Sequence, residues 1–424
     1  MTAVDRMIQS KLDQLQVPLS VRLPSGEKIG RKDAPVEVVF HDLTALGQLA
    51  SGNLGGLGAD IVSGRVSIQG GMRDLMQVVA ALVPDEGQPQ RPRLWQRVWW
   101  SLGSVLHHSR ARDAAQIRFH YDVSDEFYQI WLDPLRVYSC AYFRDPNMNL
   151  AQAQVAKLDH ICRKLDLRPG ERFVDIGAGW GGLLFHAAEN YGVDATGITL
   201  SQNQFDHVSR LIEEKGLGDR VRVLLCDYRD LTPDQPFDKL ASVGMFEHVG
   251  RANMATYCRR IHDLLRPGGM ALNHGISVTG LDEAMVGGGL GDFIEKYIFP
   301  GGELIHVSQA IRQLSQAGLE MVDTENLRPH YARTLWCWSD RLEAHLPEAE
   351  TVLQKTLAPE RAAEVLRAFR LYLAGCALAF EESWTALYQI LLTRPDGVGA
   401  ASDLPGTGSS YPFRRDYIYT SSPG

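Results

Sequence analysis

The sequence predicts an α/β chain whose central part is a parallel sheet with helices on both faces. A small α+β unit precedes it and helical additions follow it. Three observations carry this. From about residue 150 to 275, apolar runs of strand length alternate with helix-length segments, which is the pattern of consecutive βαβ units. The run "FVDIGAGWGG" is an apolar strand that breaks into Gly177, Gly179, Gly181 and Gly182, a turn suited to ligand approach at the carboxyl edge of such a sheet. Residues 85–93, "DEGQPQRPR", form a polar linker containing proline, which sets the first 84 residues apart.

In chain order, residues 1–84 hold the strand-like "VEVVF", a glycine-rich stretch "GNLGGLGADIVSGRVSIQGG" and the helix-like "MRDLMQVVAALV". Residues 85–114 are the linker and a helix-compatible stretch carrying Trp95, Trp99 and Trp100 among Arg91, Arg93, Arg97, Arg110 and Arg112. Helices of this composition lie among anionic headgroups, or they pack their indoles between domains. Residues 115–424 are the third unit. Its core reads as helix 151–167, strand 171–179, a helix, strand 194–200, helix 201–216, strand 221–227, strand 239–245, helix "YCRRIHDLLRPGG" and strand "MALNHGIS". Beyond it, helices are expected around 360–380 and through "ALAFEESWTALYQILL" (377–392), and then a loosely ordered tail from about 396 to "YPFRRDYIY".

Composition narrows the function. Hydrophobic content of 45% and charged content of 22% are those of a globular protein. A net charge of −8 argues against nucleic-acid binding, which needs a basic surface. No signal-like run opens the chain and none is long enough to span a membrane. The six cysteines are scattered with no CxxC pair. No metal site is expected, and a reducing cytoplasm is the expected compartment.

Read literally, Gly177-x-Gly179-x-x-Gly182 satisfies a dinucleotide fingerprint. The acid expected about 20 residues on is missing, and "GITLSQNQ" offers Thr199, Ser201 and Gln204 there instead. Asp175 before the first glycine, and Asp227 with Tyr228 in "VLLCDYRDL", favour S-adenosylmethionine. A cationic sulfonium suits nearby acids and the absence of a basic phosphate clamp.

Candidate chemistry residues follow the later strands: Glu247 and His248 in "SVGMFEHVG", His274 in "NHGIS", then His330 and Tyr331 in "RPHYARTL". Together with "HYDVSDEFYQIWLD", "YSCAYF", "DIGAGWGG", "GITLSQNQ" and "EKYIFPGG", they make residues 115–395 resemble the cyclopropane-fatty-acyl-phospholipid synthases and mycolic acid cyclopropane synthases. Residues 20–84 more loosely resemble the N-terminal lipid-contacting domain of the long bacterial members. One departure is Ala178, where these enzymes commonly carry Cys.

The resemblance implies a Rossmann-like S-adenosylmethionine-dependent methyltransferase fold. Tyr138, Ser139, Gly177, Gly179, Thr199, Gln204, Tyr228 and Arg229 would hold the methyl donor. Cys140, Glu247, His274, the backbone of Ile276 and Tyr331 would cradle a bicarbonate, with His120 and Tyr121 nearby. It also implies unsaturated phospholipid acyl chains as substrate and attachment to the inner face of the plasma membrane, and leaves room for a homodimer.

The chemistry rationalises such a set. An isolated alkene attacks only a strongly activated methyl, and the resulting carbocation needs a dry pocket with π faces and a base that forms no adduct with it. Tyr142, Phe143, Tyr297 and Phe299 are candidate linings, and the glycine-rich 278–293 stretch is a candidate lid. The same cation could instead yield methyl- or methylene-branched chains. A non-catalytic lipid-binding protein and an NAD-dependent oxidoreductase are the alternatives from other classes.

Overall fold

A computed structural model of the chain describes residues 18–51, 54–82, 124–280, 304–396 and 411–419. His120, Tyr121, the Trp/Arg stretch of 85–114, Tyr297, Phe299 and residues 281–293 of the expected lid lie outside the described residues.

The first unit is a four-stranded sheet of β1 (Leu19–Arg22), β2 (Lys28–Gly30), β3 (Val36–Phe40) and β4 (Val66–Gln69), ordered β2-β1-β3-β4. Val36, Val38, Val39 and Phe40 of "VEVVF" are buried against α1 (Leu43–Ser51), α2 (Leu54–Ser63) and α3 (Met72–Leu82). This matches the expected α+β unit.

The second unit is built on seven strands: β5 (Arg172–Ile176), β6 (Asp194–Thr199), β7 (Val221–Leu225), β8 (Phe237–Val243), β9 (Leu265–Val278), β10 (Glu320–Asn326) and β11 (Thr385–Thr393). Their order is β10-β11-β9-β8-β5-β6-β7. Strands β7, β6, β5, β8 and β9 run parallel, while β11 is antiparallel to both its neighbours. The chain steps from β5 outward through β6 to β7, then returns to β8 on the other side of β5. The loops after β5 and β8 therefore flank a topological switch point, where α/β sheets bind ligands.

The helices are α4 (Asp125–Trp131), α5 (Leu150–Lys164), α6 (Gly182–Tyr191), α7 (Gln202–Lys215), α8 (Phe246–Val249), α9 (Met254–Leu264), α10 (Val307–Gln316), α11 (Arg328–Ala344), α12 (Leu346–Gln354) and α13 (Pro359–Glu381). Local chemistry explains several starts. Asn149 and Gln152 form a reciprocal capping box on α5, and Ser201 accepts from the Gln204 amide on α7. None of the described helices is long and apolar enough to cross a membrane.

Two expectations are corrected. The helix read through 377–392 ends at Glu381, and β11 follows it. Ser383 takes a positive φ of 60° that breaks the helix. A central strand buried on both faces reads as a continuous apolar run without alternation, so its type was ambiguous. The "RPGG" at 266–269 likewise belongs to the irregular start of β9 and does not extend α9. Pro267 has no amide to donate to a helix, and Gly268 donates instead to the Arg394 carbonyl at 2.7 Å.

The two units meet on side chains. Arg73 of α3 makes a bidentate pair with Asp340 of α11 at 2.8 and 2.7 Å, and its guanidinium lies 4.3 Å from the Trp336 ring centroid. Arg367 of α13 donates to the Val62 carbonyl at 2.8 Å.

Candidate active site

Eight of the predicted cofactor residues (Tyr138, Ser139, Asp175, Gly177, Gly179, Thr199, Gln204 and Tyr228) line one cleft at the switch point. Gly177 has φ +85°, and a Cβ there would stand 2.6 Å from Met245 Cγ, so the turn admits only glycine. Thr199 donates its hydroxyl to Gln204 Oε1 at 2.7 Å, tying the end of β6 to the start of α7. Asp227 and Arg229 are not among the lining residues. Asp227 Oδ1 accepts the Arg229 backbone amide at 2.8 Å, and the two side chains are salt-bridged, so both are taken up by a local turn.

The "VYSCAYFR" segment (137–144) is held at almost every residue. Asp133 accepts the Val137 amide at 2.9 Å, and Gln154 of α5 donates to the Val137 and Ser139 carbonyls. Lys157 Nζ donates to Ser139 Oγ at 3.0 Å. From α11, Thr334 accepts the Ala141 amide and His330 accepts that of Phe143, each at 3.0 Å. Tyr138 sits 5.3 Å from both Trp131 and Trp338 by ring centroid. Tyr142 and Phe143 are engaged elsewhere: Tyr142 stacks on His160 at 4.1 Å, and Arg333 lies over Phe143 at 4.2 Å.

The proposed cradle residues are all buried, apart from Ile276, which contributes only its backbone. Cys140 Sγ lies 3.2 Å from its neighbour's carbonyl and 3.9 Å from that of Leu327. The Tyr331 amide donates to the same Leu327 carbonyl at 3.1 Å. Leu327 donates in turn to Leu387 at 2.8 Å, and Leu387 pairs with Ile276 across β11 and β9. The Ile276 amide donates to Glu247 Oε1 at 3.2 Å. One path of contacts thus joins Cys140, Tyr331, Ile276 and Glu247, and His274 lies two residues before Ile276 on the same face of β9. At Gly275 between them, a Cβ would fall 2.1 Å from the Phe246 ring and 3.0 Å from Glu247 Oε2. Glycine alone lets Glu247 approach.

Burial sets the charge states. It pushes the Glu247 carboxyl up to about 7 and Asp175 up to about 7, partly opposed by Lys157. Burial also lowers Lys157 to about 8 against the pull of Asp133, Cys140 and Asp175. His274 is held well below its ordinary range by burial, with Lys157, Lys164 and His160 adding to the effect. The Cys140 thiol is pushed well up by burial, so it stays protonated and is no thiolate nucleophile. Among the described residues, Glu247 Oε2, His274 Nε2 and Asp175 Oδ1 are buried without a hydrogen-bond partner, and a ligand would satisfy such atoms.

Sequence reasoning missed Lys157, Trp180, Cys226 and Met245 of the cleft, and Gln389, which contacts His274. "GAGWGG" did contain Trp180. Lys157 sits inside an ordinary amphipathic helix, and Gln389 inside an apolar run with no signal of its own.

Residues 108–390 match the mycolic acid cyclopropane synthetase family. A "Probable fatty acid methyltransferase" of Pseudomonas putida is 43% identical over 93% of this chain and 96% of its own. The "Cyclopropane-fatty-acyl-phospholipid synthase" of Escherichia coli is 41% identical over 69% of this chain and 72% of its own. The crystal structure of mycolic acid cyclopropane synthase CmaA1 complexed with SAH and CTAB superposes with a TM-score of 0.61 at 35% identity, covering 66% of this chain and 98% of that one.

Fold and cleft together define a Rossmann-like, S-adenosylmethionine-dependent methyltransferase. Within that class, the chain belongs to the cyclopropane synthase family, whose activity is methyl-carbon transfer to lipid acyl chains.

Proposed function

We propose that the protein transfers a methylene group to the cis double bond of an unsaturated phospholipid acyl chain and closes a cyclopropane ring, with bicarbonate as the bound base. The observation that carries this reading is the pair of partnerless buried atoms, Glu247 Oε2 and His274 Nε2, on a path of contacts that includes Cys140, Ile276 and Tyr331. A small oxyanion able to both donate and accept hydrogen bonds fits that donor set. When bound, S-adenosylmethionine supplies the electrophilic methyl and bicarbonate supplies the proton acceptor.

The chain's own residues do the rest. Gly177 and Gly179 let the backbone approach the methyl donor, and Tyr138 and Tyr228 pack against it. Tyr138, Trp131, Trp338 and Tyr331 form an aromatic cluster that excludes water and offers π faces to a cation. Glu247, near its midpoint at neutral pH, is suited to accept or return a proton. The substrate class places the enzyme at the inner face of the plasma membrane, docked through the N-terminal unit and the Trp/Arg stretch, with a second copy able to share the surface.

A second reading is C-methylation of the same acyl chains to methyl- or methylene-branched products. The likeness to the probable fatty acid methyltransferase of Pseudomonas putida favours it. Mass spectrometry of unsaturated phospholipid incubated with S-adenosylmethionine decides whether one CH₂ is gained, and NMR of the product separates ring from branch. No mass gain on unsaturated phospholipid vesicles, from protein that binds S-adenosylhomocysteine, would remove the substrate assignment.

A further inference from the structure

We infer that Gln389 is a positioning residue that holds His274 as its Nε2–H tautomer, so that His274 serves as a hydrogen-bond donor and not as a base. The inference rests on the bicarbonate reading only for the identity of the oxygen that this donor meets.

Gln389 and His274 face each other across β11 and β9. Both are buried, at 0% and 1% exposure. Gln389 Nε2 lies 3.2 Å from His274 Nδ1, while Gln389 Oε1 and His274 Nε2 have no partner among the described residues. The two orientations of the amide differ in what they strand. With Nε2 toward the ring, one N–H is used and the carbonyl oxygen and the second N–H are left over. Flipped, the leftover is an NH₂ with two unmet donors, which is costlier to bury. The first orientation makes Nδ1 an acceptor. A neutral imidazole with an accepting Nδ1 must carry its proton on Nε2.

The partnerless Nε2–H is then a directed donor in a buried place, the complement of an anionic oxygen. This divides the labour in the cradle. His274 binds and orients, and proton acceptance falls to the bound base and Glu247. A base at His274 would need a lone pair on Nε2, which this arrangement removes.

The test is side-chain nitrogen NMR of the full chain labelled at histidine, first without bicarbonate, with His274 assigned by loss of its signals in His274→Asn. The expected spectrum shows Nδ1 as the unprotonated and Nε2 as the protonated nitrogen. Gln389→Glu, compared at pH 8.5 where the carboxylate is ionised and can only accept, should move the proton to Nδ1, weaken the bicarbonate response at least 10-fold and leave S-adenosylhomocysteine affinity within 2-fold. These factors are on the order of one lost charge-assisted hydrogen bond. A wild-type ring protonated at Nδ1 overturns the inference, and that spectrum decides even where the variant fails to fold. So does a folded Gln389→Glu protein with unchanged tautomer and turnover. If the tautomer is as expected but bicarbonate never alters turnover, the bicarbonate reading fails and the positioning role stands.

Discussion

Replacing Glu247 with glutamine should raise the protein's stability at alkaline pH while removing turnover. Burial raises the carboxyl from its ordinary 4.5 to about 7, so the folded state holds this proton more tightly than the unfolded chain does. The carboxyl therefore withholds nothing below pH 4.5, and its cost grows as pH rises to about 7 and then stays constant. The full difference is about 3 kcal/mol. Glutamine keeps the oxygen that accepts the Ile276 amide and never ionises. Glu247→Gln should thus melt on the order of 5 °C above wild type at pH 8 and match it at pH 4.5. Asp175, also raised to about 7, is present in both proteins and cancels. The assay is thermal unfolding at fixed scan rate across pH 4.5–8.5, with methyl transfer measured in parallel. A melting difference that does not vary with pH, or a variant less stable at pH 8, would refute the argument that Glu247 is a buried, partly unsatisfied acid.

Three further outcomes follow from the site. Cys140→Ser should retain turnover about 10-fold below wild type, because the thiol is a buried protonated donor and not a nucleophile; product analysis showing complete loss in a folded protein would revive the nucleophile. Gly177→Ala should abolish S-adenosylhomocysteine binding in a thermal-shift assay, since a Cβ meets Met245 at 2.6 Å on a φ of +85° and the combined cost is about 2–5 kcal/mol. Lys157→Met removes the bond to Ser139 Oγ and the cation that partly opposes the rise of Asp175. It should raise the KM for S-adenosylmethionine roughly 10-fold more than it lowers kcat, as initial-rate kinetics would report.

The parts of the molecule legible in the sequence are those whose physics is local. Alternation of apolar runs announced β5 through β9, and the glycines of "GAGWGG" announced the turn after β5. Eight of the residues proposed for the methyl donor line one cleft, because they sit at strand ends that the alternation locates. What stayed hidden depends on partners distant in sequence. Strand β11 lies inside the sheet and is buried at all but Tyr388, so its nine residues carry no period, and Gln389 within it is defined only by β9. Nothing in "CDYRD" foretold that Asp227 and Arg229 would pair with each other. Lys157 is polar on a helix, and only packing against the 137–144 segment reveals that it is buried.

Helix α11 carries Tyr331 beside the Leu327 carbonyl that Cys140 meets, Thr334 gripping the 137–144 segment, and Trp336 and Asp340 under Arg73 of the first unit. These positions span about 13 Å of one continuous rod. The surface on which the first unit rests and the contacts that hold the 137–144 segment are therefore borne by one helix, with no loop between them. A shift of this helix relative to the sheet would disturb both sets of contacts at once.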